Sequence, residues 1–456
     1  MKITSTNPAK NYQSISEVEF STEEEIKSAV RLAHEAKKSW RKLGLNERAK
    51  KIQTIIDAFT EGEEKISQLI VEETGKPIIQ ARSEVSRYLV HAQWYLDNAP
   101  EALADEVTFE DDKSNHRVVY EPYGVVAAIA PWNFPFGMAI WGVIPNLVVG
   151  NVVIFKTSEE CPLVGKYIDE VISEHLPKGV FAEVYGDGEV GDMLTDQNIE
   201  YIWFTGSTNT GKHLYKKVAE KFIRATLEMG GSSPGVVFED VDPSKAASVM
   251  FPMRFGHCGQ VCTSIKRLIV HQDIFDSTVS ELGKILDTQI IGDPTKEETT
   301  VGSLVALRQV EQLQAQLDDA LAKGAKIVAQ KEVPGELNGA YFPPTILTNV
   351  TKDMRVWSEE VFGPILPVVG FSSEQQAIDL ANDTKYGLNA RVMSEDMKRA
   401  ERVASQIDAG GIKINAEASF AACDPFGGYK MSGIGREHGI HGLRELCQIK
   451  VITKEK

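Results

Sequence analysis

Hydrophobic residues recur at intervals of three and four positions between residues 22 and 98, and charged residues fill the positions between them. This spacing places apolar side chains on one face of a helix and charged side chains on the opposite face. The pattern therefore predicts amphipathic helices over residues 23–40, 46–61 and 65–73.

Beyond this region the pattern changes to short apolar runs that are separated by amphipathic segments. Such runs are typical of strands that are buried on both faces. The predicted strands cover residues 118–120, 125–130, 152–155, 180–185, 201–205 and 224–228, and the predicted helices cover 162–175, 190–194 and 212–222. Alternation of strands and helices favours a parallel, doubly wound sheet with helices on both faces.

A second alternating set occupies residues 235–415, with a helix at 244–254 and strands at 236–238, 267–270, 327–328, 365–369 and 411–414. Two α/β units in succession suggest a cofactor domain followed by a catalytic domain. Residues 446–454 form a last strand with no later segment to pair with. Such an edge strand is often buried against another element or another subunit.

Composition narrows the class of protein. A chain of 456 residues needs more than one core, and its formal net charge of -16 disfavours binding to nucleic acid. No signal peptide is evident, and the apolar stretches at 125–130 and 140–150 are too short to span a bilayer. The 5 cysteines, an odd number, indicate a reducing compartment. We therefore expect a cytoplasmic enzyme that does not contact membranes.

Residues 206–211 (GSTNTG) lie between a predicted strand and a predicted helix, where backbone amides and a positive helix end suit a phosphate. The alternative is a turn of small residues in which Ser207 or Thr208 caps the helix. Lys156 and Glu159 follow another strand end. A lysine and an acid at that edge suit a ribose or phosphate, although a solvated pair of loop charges is the commoner outcome.

Cys262 has small and polar neighbours that leave its thiol accessible, which suits a nucleophile, whereas a buried structural cysteine is the alternative. Cys258 is interpreted as a packing residue, and a regulatory disulfide between Cys258 and Cys262 is the alternative. Glu228 ends a strand beside two glycines and suits a general base, or else faces water. Asn133 lies among bulky residues, where its amide either donates to an oxyanion or holds a local turn. The sequence has neither CxxC nor HExxH, so no metal site is expected.

Six segments, taken together, resemble the aldehyde dehydrogenase superfamily across essentially the whole chain. They are residues 131–135 (PWNFP), 204–208 (FTGST), 227–231 (LEMGG), 259–262 (GQVC), 359–364 (EEVFGP) and 425–433 (PFGGYKMSG). The resemblance implies an α/β fold with two doubly wound Rossmann-like domains, one binding NAD(P) and one catalytic, and a small β oligomerisation domain. The implied ranges are 1–103 with 123–230, then 231–439, and 104–122 with 440–456.

The resemblance also implies a role for each motif residue. Cys262 attacks the aldehyde carbon, Asn133 and the Cys262 backbone N–H hold the oxyanion, and Glu228 activates the water that hydrolyses the thioester. The cofactor-binding residues it implies are Lys156, Glu159, Gly206, Ser207, Gly211, Glu360, Phe362 and Trp132. Relatives that transfer the acyl group to coenzyme A lack the glutamate at position 228, so hydrolysis is expected here.

The identity of the cofactor and the assembly follow from the same resemblance. An acid at Glu159 would grip the adenosine ribose and repel a 2′-phosphate, so NAD is expected, with NADP possible. The partners expected are a small aldehyde and further copies of the chain, in a homodimer or homotetramer.

By overall similarity the sequence looks nearest to bacterial succinate-semialdehyde dehydrogenases, but it departs from them at Trp141. Those relatives tend to carry an arginine there, suited to the distal carboxylate of the substrate. An apolar substrate tunnel is expected instead, formed by Phe134, Met138, Trp141, Phe420 and Phe426. Burying a carboxylate there without a cation is costly, so an uncharged medium-sized or aromatic aldehyde is the expected substrate. Succinate semialdehyde is the alternative, with Trp141 filling core space and a loop arginine or lysine supplying the cation.

A hypothesis from another class of enzyme is a thiol esterase or hydrolase that uses Cys262 with a histidine base, since His257 is nearby in the chain. That alternative accounts for neither the glycine turn nor Glu360. A non-catalytic binding protein is a further alternative, but it would be expected to lose either Cys262 or Glu228.

Overall fold

The computed structural model describes residues 1–416 and 421–456. Its helices are α1 (Glu23–Lys42), α2 (Leu45–Glu61), α3 (Glu63–Thr74), α4 (Ile78–Ala102), α5 (Pro135–Val149), α6 (Pro162–His175), α7 (Gly188–Asp196), α8 (Thr208–Lys221), α9 (Pro243–Phe255), α10 (Phe275–Asp287), α11 (Leu307–Ala322), α12 (Arg355–Ser358), α13 (Glu374–Asn382), α14 (Met397–Ala404) and α15 (Gly439–Glu445). Among the described residues, none of these helices combines the length and apolarity needed to cross a membrane.

The strands are β1 (Lys2–Asn7), β2 (Gln13–Glu19), β3 (Glu106–Glu110), β4 (Ser114–Pro122), β5 (Val125–Ile129), β6 (Val152–Lys156), β7 (Phe181–Val184), β8 (Tyr201–Thr205), β9 (Arg224–Glu228), β10 (Ser233–Val237), β11 (Ile265–His271), β12 (Lys326–Gln330), β13 (Thr345–Thr348), β14 (Ile365–Phe371), β15 (Tyr386–Gly387), β16 (Asn389–Met393), β17 (Gly411–Ile414), β18 (Tyr429–Lys430), β19 (Gly433–Ile434) and β20 (Cys447–Glu455). The α/β class predicted from the sequence is confirmed.

Local residues set the ends of several helices. Thr22 and Glu25 form a capping box at the start of α1, and the Asp242 side chain accepts hydrogen bonds from two backbone amides at the start of α9. Gly75 and Gly150 end α3 and α5 in the left-handed conformation, with φ of 71° and 107°. Glycine adopts this conformation without a steric penalty, so the chain turns sharply at these points.

The first large sheet has the strand order β19-β9-β8-β5-β6-β7. Neighbouring strands from β5 to β9 run parallel, whereas β19 is antiparallel to β9. Every residue of β5 and β6 is buried, as the continuous apolar runs predicted. The register pairs Ile129 with Lys156 and Thr205 with Glu228, so the carboxyl ends of these strands lie along one edge.

Helix α5 was not predicted from the sequence. All of its residues are buried, so it has no polar stripe from which a helical period can be recognised. It packs against α4 and supports the first sheet, and its N-terminal turn follows the segment that carries Asn133.

The second large sheet has the order β12-β13-β14-β11-β10-β16-β17. Its strands are parallel except β12, which runs antiparallel to β13. The strands predicted in this half are present, and β13 and β16 are additional. Cys262 lies shortly before the amino end of β11, and Glu360 lies shortly before that of β14. The amino ends of strands in the second sheet therefore lie on the side of the site opposite the carboxyl ends of strands in the first sheet.

A third, antiparallel sheet has the order β20-β4-β3. The final strand predicted from the sequence finds its partner in β4, with a ladder from Cys447 opposite Pro122 to Glu455 opposite Ser114. Strand β20 stays at the edge of this sheet. The bounds of the three domains and the role of this sheet in oligomerisation stay predictions.

Candidate active site

A cavity of about 790 Å³ lies between the carboxyl edge of the first sheet and the amino edge of the second. Its lining contains most of the residues that the sequence singled out, although they come from distant parts of the chain. These residues are Trp132, Asn133, Phe134, Met138, Trp141, Gly206, Ser207, Glu228, Cys262, Glu360, Phe362 and Phe426. Phe420, the remaining member of the predicted tunnel, lies outside the described residues.

The segment before Cys262 has an unusual backbone. His257, Cys258 and Gly259 have φ values of 47°, 53° and 72°, so three consecutive residues are left-handed. This turn buries the Cys258 thiol, which donates to the Gly302 carbonyl oxygen at 3.3 Å, as expected of a packing residue. Cys262 instead lines the cavity and is only partly buried.

Burial raises the pKa of the Cys262 thiol to about 12. Lys266 acts in the opposite direction because its ammonium favours the thiolate, whereas Glu360 and Glu228 raise the thiol pKa further. The thiol is therefore protonated at neutral pH in the free protein, and an attack on a substrate requires loss of that proton.

The Asn133 amide is positioned by hydrogen bonds to the second half of the chain. Its Nδ2 donates to the Gln260 carbonyl oxygen at 2.9 Å. The Gln260 side chain is itself fully buried, and its Oε1 accepts from the Val305 backbone N–H at 3.1 Å. Asn133 and Cys262 are thus held close together, and the amide, as expected, is not left unsatisfied.

A buried ion pair that the sequence analysis missed lies behind Asn133. Lys76 pairs with Glu84, and the Lys76 Nζ also donates to the Asn133 carbonyl oxygen at 2.8 Å. Glu84 accepts a further hydrogen bond from the Gly137 N–H at 3.1 Å. The ammonium lies 4.0 Å from the centroid of the Phe134 ring. This network holds in place both Asn133, the candidate donor to the oxyanion, and the start of α5.

Glu228 lies at the carboxyl end of β9 and is buried. Burial raises its pKa well above the ordinary value, the carboxylate of Glu437 raises it further, and Arg436 and the Gly428 backbone oppose the rise. Glu437 also lines the cavity, and burial raises its pKa to about 8. Glu437 was not identified from the sequence, and it approaches Glu228 because β19 pairs with β9 opposite that residue.

Glu360 is held by two donors at the other end of the cavity. Its Oε1 accepts from the Lys266 Nζ at 2.5 Å and from the Gly231 N–H at 3.0 Å. Phe362 packs edge-on against Trp132, with ring centroids 5.6 Å apart. A Cβ at Gly230 would clash with the Glu360 Oε2, so a larger residue there would displace the carboxylate from its present position.

The turn at residues 206–211 lies at the N-terminus of α8, where the helix cap is confirmed and the binding of a phosphate stays a prediction. Ser207 caps the helix, since its Oγ accepts from the Thr210 N–H at 3.1 Å. Gly211 does not line the cavity. A side chain there would collide with the Met229 sulfur, so this glycine serves helix packing.

Lys156 and Glu159 lie at the carboxyl end of β6, outside the set of residues that line the cavity. The buried Lys156 Nζ donates to the Thr157 carbonyl oxygen at 3.0 Å and lies 3.9 Å from the Glu159 carboxylate. Burial lowers the pKa of Lys156, while Glu159 and Asp187 oppose that change. The ammonium is thus placed at the same sheet edge as the glycine turn.

These groups fit a dinucleotide cofactor. The capped N-terminus of α8 offers backbone amides for phosphate, Lys156 offers a cation, and Glu360 offers a carboxylate for hydroxyl groups. The missing side chain at Gly230 leaves the room that the Glu360 carboxylate needs.

The tunnel residues surround Trp141, which is buried. Its ring centroid lies 5.0 Å from that of Tyr88, 5.6 Å from that of Phe426 and 3.9 Å from that of His438. Arg87, on α4, lines the same cavity and forms no ion pair with the residues that the structure describes. His257 is buried against the Phe134 ring, and burial lowers its pKa well below the ordinary value.

Comparisons with known proteins agree with this geometry. Residues 1–452 match the aldehyde dehydrogenase family. The chain is 32% identical to succinate semialdehyde dehydrogenase [NAD(P)+] of Escherichia coli, covering 99% of this chain and 98% of that protein. It is 33% identical to glutarate-semialdehyde dehydrogenase of Pseudomonas aeruginosa, covering 94% and 89%. Aminoaldehyde dehydrogenase 1 of Pisum sativum is 36% identical, with coverage of 99% and 92%.

Solved structures give the same result. An NADP-dependent enzyme of Escherichia coli superposes with a TM-score of 0.96 at 31% identity, covering 100% of this chain and 95% of that one. Betaine aldehyde dehydrogenase of Staphylococcus aureus, in complex with NAD+, has a TM-score of 0.95 at 32% identity and coverage of 99% and 91%.

The buried Lys76–Glu84 pair yields a prediction about stability. Lys76→Met should lower the free energy of unfolding by about 3–5 kcal/mol, because Glu84 remains buried without its cation. Glu84→Gln should lower the free energy of unfolding by a similar amount. The double variant should lose much less free energy of unfolding than the sum of the losses in the two single variants. Urea unfolding followed by tryptophan fluorescence measures these changes.

The control is Arg31→Met, which breaks an exposed ion pair with Glu35 and should change stability by less than about 0.5 kcal/mol. Additive losses in the double variant would show that the two side chains do not stabilise each other.

Proposed function

The chain belongs to the aldehyde dehydrogenase family, and on that premise we propose that it oxidises an aldehyde to a carboxylate with Cys262 as the nucleophile. The observation that carries the proposal is the convergence of a thiol, an amide donor, a buried carboxyl group and a carboxylate for the cofactor on one cavity. These groups belong to Cys262, Asn133, Glu228 and Glu360. Family membership also means that the thiol hydrolase alternative with a His257 base is not proposed.

In the first half of the reaction the Cys262 thiolate attacks the carbonyl carbon and forms a thiohemiacetal. The former carbonyl oxygen carries the negative charge, and the Asn133 Nδ2 and the Cys262 backbone N–H donate to it. Because Lys76 and Gln260 hold Asn133 from two sides, its amide does not need to reorganise as the charge develops. NAD(P), when bound, supplies the hydride acceptor, so the carbon reaches the oxidation level of a thioester on Cys262.

In the second half Glu228 accepts a proton from water, and the resulting hydroxide attacks the thioester carbonyl. The carbon–sulfur bond breaks, the carboxylate leaves, and the Cys262 thiolate is regenerated. The raised pKa of Glu228 makes its carboxylate a stronger base than one exposed to water. Because Glu228 is buried, bulk water is kept away from the thioester beside it.

Several residues have proposed roles in holding the cofactor. Glu360 binds the nicotinamide ribose, and Phe362 and Trp132 pack on the nicotinamide side. Lys156 and Glu159 bind the adenosine ribose, and Ser207 binds the pyrophosphate, with Gly206 and Gly211 allowing the close approach of α8. The Glu159 carboxylate and nearby Asp187 repel a 2′-phosphate, which supports NAD over NADP.

The apolar lining from Phe134, Met138, Trp141 and Phe426 supports an uncharged medium-sized or aromatic aldehyde as the substrate. Trp141 packs within a cluster of aromatic rings. Unlike an arginine, it places no cation at position 141. A distal carboxylate would lose its hydration there without compensation.

Succinate semialdehyde is the second candidate, and one observation favours it. Arg87 lines the cavity from α4 and has no carboxylate partner among the described residues, so its guanidinium is available to a substrate carboxylate. Relatives from Escherichia coli and Pseudomonas aeruginosa are named for semialdehydes whose distal group is a carboxylate.

We place the protein in the cytoplasm as a homodimer or homotetramer. Its 5 cysteines are all free thiols, which suits a reducing compartment. The edge strand β20 exposes Ile449 and Val451, at 67% and 62%, on one face of the small sheet. Exposed apolar side chains on an unpaired edge support a contact between subunits there.

Replacing the thiol tests the chemistry directly. Cys262→Ala should lower kcat by at least about a thousandfold, because Cys262 is the only cysteine among the described residues that line the cavity. Binding of NAD, measured by calorimetry, should be largely retained because the cofactor-binding groups are unchanged. Cys423→Ala, which removes an exposed thiol, is the matched control. Turnover in the Cys262→Ala variant would contradict the proposed nucleophile.

The carboxyl pair yields a prediction about pH. Glu437 raises the pKa of Glu228, so Glu437→Gln should lower that pKa and leave the base ionised at lower pH. The acidic limb of the pH profile for thioester hydrolysis should therefore move to lower pH, as measured by single-turnover kinetics. An unchanged limb, or one displaced to higher pH, would show that Glu437 does not act on the base.

A panel of hexanal, benzaldehyde and succinate semialdehyde, run with NAD and with NADP, tests the substrate and the cofactor. We expect kcat/KM to be at least about tenfold higher for the two uncharged aldehydes, because the carboxylate of succinate semialdehyde loses its hydration in the apolar tunnel. NAD should give the higher kcat/KM with each aldehyde. A higher kcat/KM for succinate semialdehyde would establish the second candidate instead.

A further inference from the structure

Lys266 is a buried lysine outside the cavity lining that contacts two residues of the candidate site, Cys262 and Glu360. Its side chain is 1% exposed and lies near the start of β11. The Nζ donates to the Glu360 Oε1 at 2.5 Å and to the Cys262 carbonyl oxygen at 3.0 Å. It also lies 5.3 Å from the centroid of the Phe362 ring. The Lys266 ammonium thus contacts both the backbone of Cys262 and the Glu360 carboxylate, which is proposed to bind the cofactor.

This arrangement is costly for the fold. Burial lowers the pKa of Lys266, and the opposite charge of Glu360 is the main influence that keeps the ammonium form. A buried pair is seldom a net source of stability, because each ion loses its hydration. A neutral side chain of similar length would fill the same volume, so a role for the charge itself is indicated.

We propose that Lys266 is a positioning residue that controls the reactivity of the Cys262 thiol, with its ammonium favouring the thiolate and its partner Glu360 opposing it. The proposal rests on the proposed function to the extent that Cys262 is the nucleophile and Glu360 the cofactor ligand. The ion pair then links the group that attacks the aldehyde to the group that holds the ribose.

The charged and titratable groups that face the thiol come from four elements or segments. Lys266 on β11 is the cation, and it is the strongest influence that favours the thiolate. Glu360, before β14, and Glu228, on β9, are the carboxyl groups that disfavour it. Tyr88, on α4, interacts with the thiol through its own hydroxyl. The two partners of the ion pair therefore act on Cys262 with opposite signs.

Opposite signs separate this proposal from a merely structural role. Lys266→Met removes the cation and leaves both carboxyl groups, so the thiolate fraction at a given pH should fall. Because Glu360 also keeps Lys266 charged, the carboxylate is removed in the Lys266→Arg background, where the cation does not depend on its partner. There Glu360→Gln removes one carboxylate and leaves the cation, so the thiolate fraction should rise relative to Lys266→Arg. If the ion pair only held the site in place, both changes would weaken the same contact and would change the reactivity of the thiol in the same direction.

The experiment is alkylation of the free enzyme by iodoacetamide across a pH series, with modification of Cys262 quantified by mass spectrometry of its peptide. Exposed Cys423 in the same molecule is the internal reference for reagent and pH. Lys266→Met should alkylate about tenfold more slowly than the wild type at a fixed pH below the thiol pKa, which corresponds to one unit of pKa. The Lys266→Arg, Glu360→Gln double variant should alkylate faster than Lys266→Arg.

Lys266→Arg keeps the charge and should stay nearer to the wild-type rate than Lys266→Met. Lys352→Met, which removes an exposed lysine, should leave the rate unchanged. A slower or unchanged rate when Glu360→Gln is added to Lys266→Arg, or an unchanged or faster rate in Lys266→Met, would overturn the proposal. If Lys266→Met does not fold, the comparison of Lys266→Arg with the double variant decides alone, since slower or unchanged alkylation there contradicts the proposed sign.

This readout needs neither cofactor nor aldehyde, so it is independent of the proposed reaction. Loss of the proposed function would appear as turnover in Cys262→Ala, whereas failure of the Lys266 proposal would appear only in the alkylation rates.

Discussion

The hydrogen bond from the Asn133 amide to the Gln260 carbonyl oxygen joins the two halves of the chain at the candidate site. Asn133 follows a strand of the first sheet, and Gln260 lies two residues before Cys262. The bond is buried, and Lys76 and Val305 hold its two ends from behind. It ties the oxyanion donor directly to the segment that carries the thiol, and preorganisation of this kind is a major source of catalytic power.

Burial is the second constraint, because it shifts the pKa of several groups at the site. The same low-dielectric environment raises the pKa of Cys262, Glu228 and Glu437 and lowers that of Lys266. Each group is then controlled by its nearest charged neighbour, since screening by water is weak inside the cavity. Glu437 acts on the base and Lys266 on the thiol, so two residues that touch no substrate in the proposed reaction influence both of its halves.

The substrate end of the cavity combines two opposing features. A cluster of rings around Trp141 excludes water and favours an apolar aldehyde, whereas Arg87 offers a cation at the same cavity. The preference for an uncharged substrate therefore depends on which of these two features the distal end of the substrate meets.

The order of strands and helices could be predicted from the sequence, because alternation and amphipathic spacing are local. Strands β8, β9 and β17 and helix α6 occupy the residues predicted for them. Helix α5 was missed because complete burial removes its polar stripe, and the hairpin of β1 and β2 was not recognised. Cys262, Asn133, Glu228 and Glu360 were identified because they lie in motifs that resemble a known family, not because their spacing places them together.

Only the tertiary structure decided how these motifs meet. It set the carboxyl edge of one sheet against the amino edge of the other, which no local pattern records. It also supplied the partners that the sequence analysis missed: Lys76 lies 57 positions from Asn133, and Lys266 lies 94 positions from Glu360. The physical reason is that hydrophobic periodicity reports which face of an element is buried, whereas an ion pair depends on distances between elements that are set by packing.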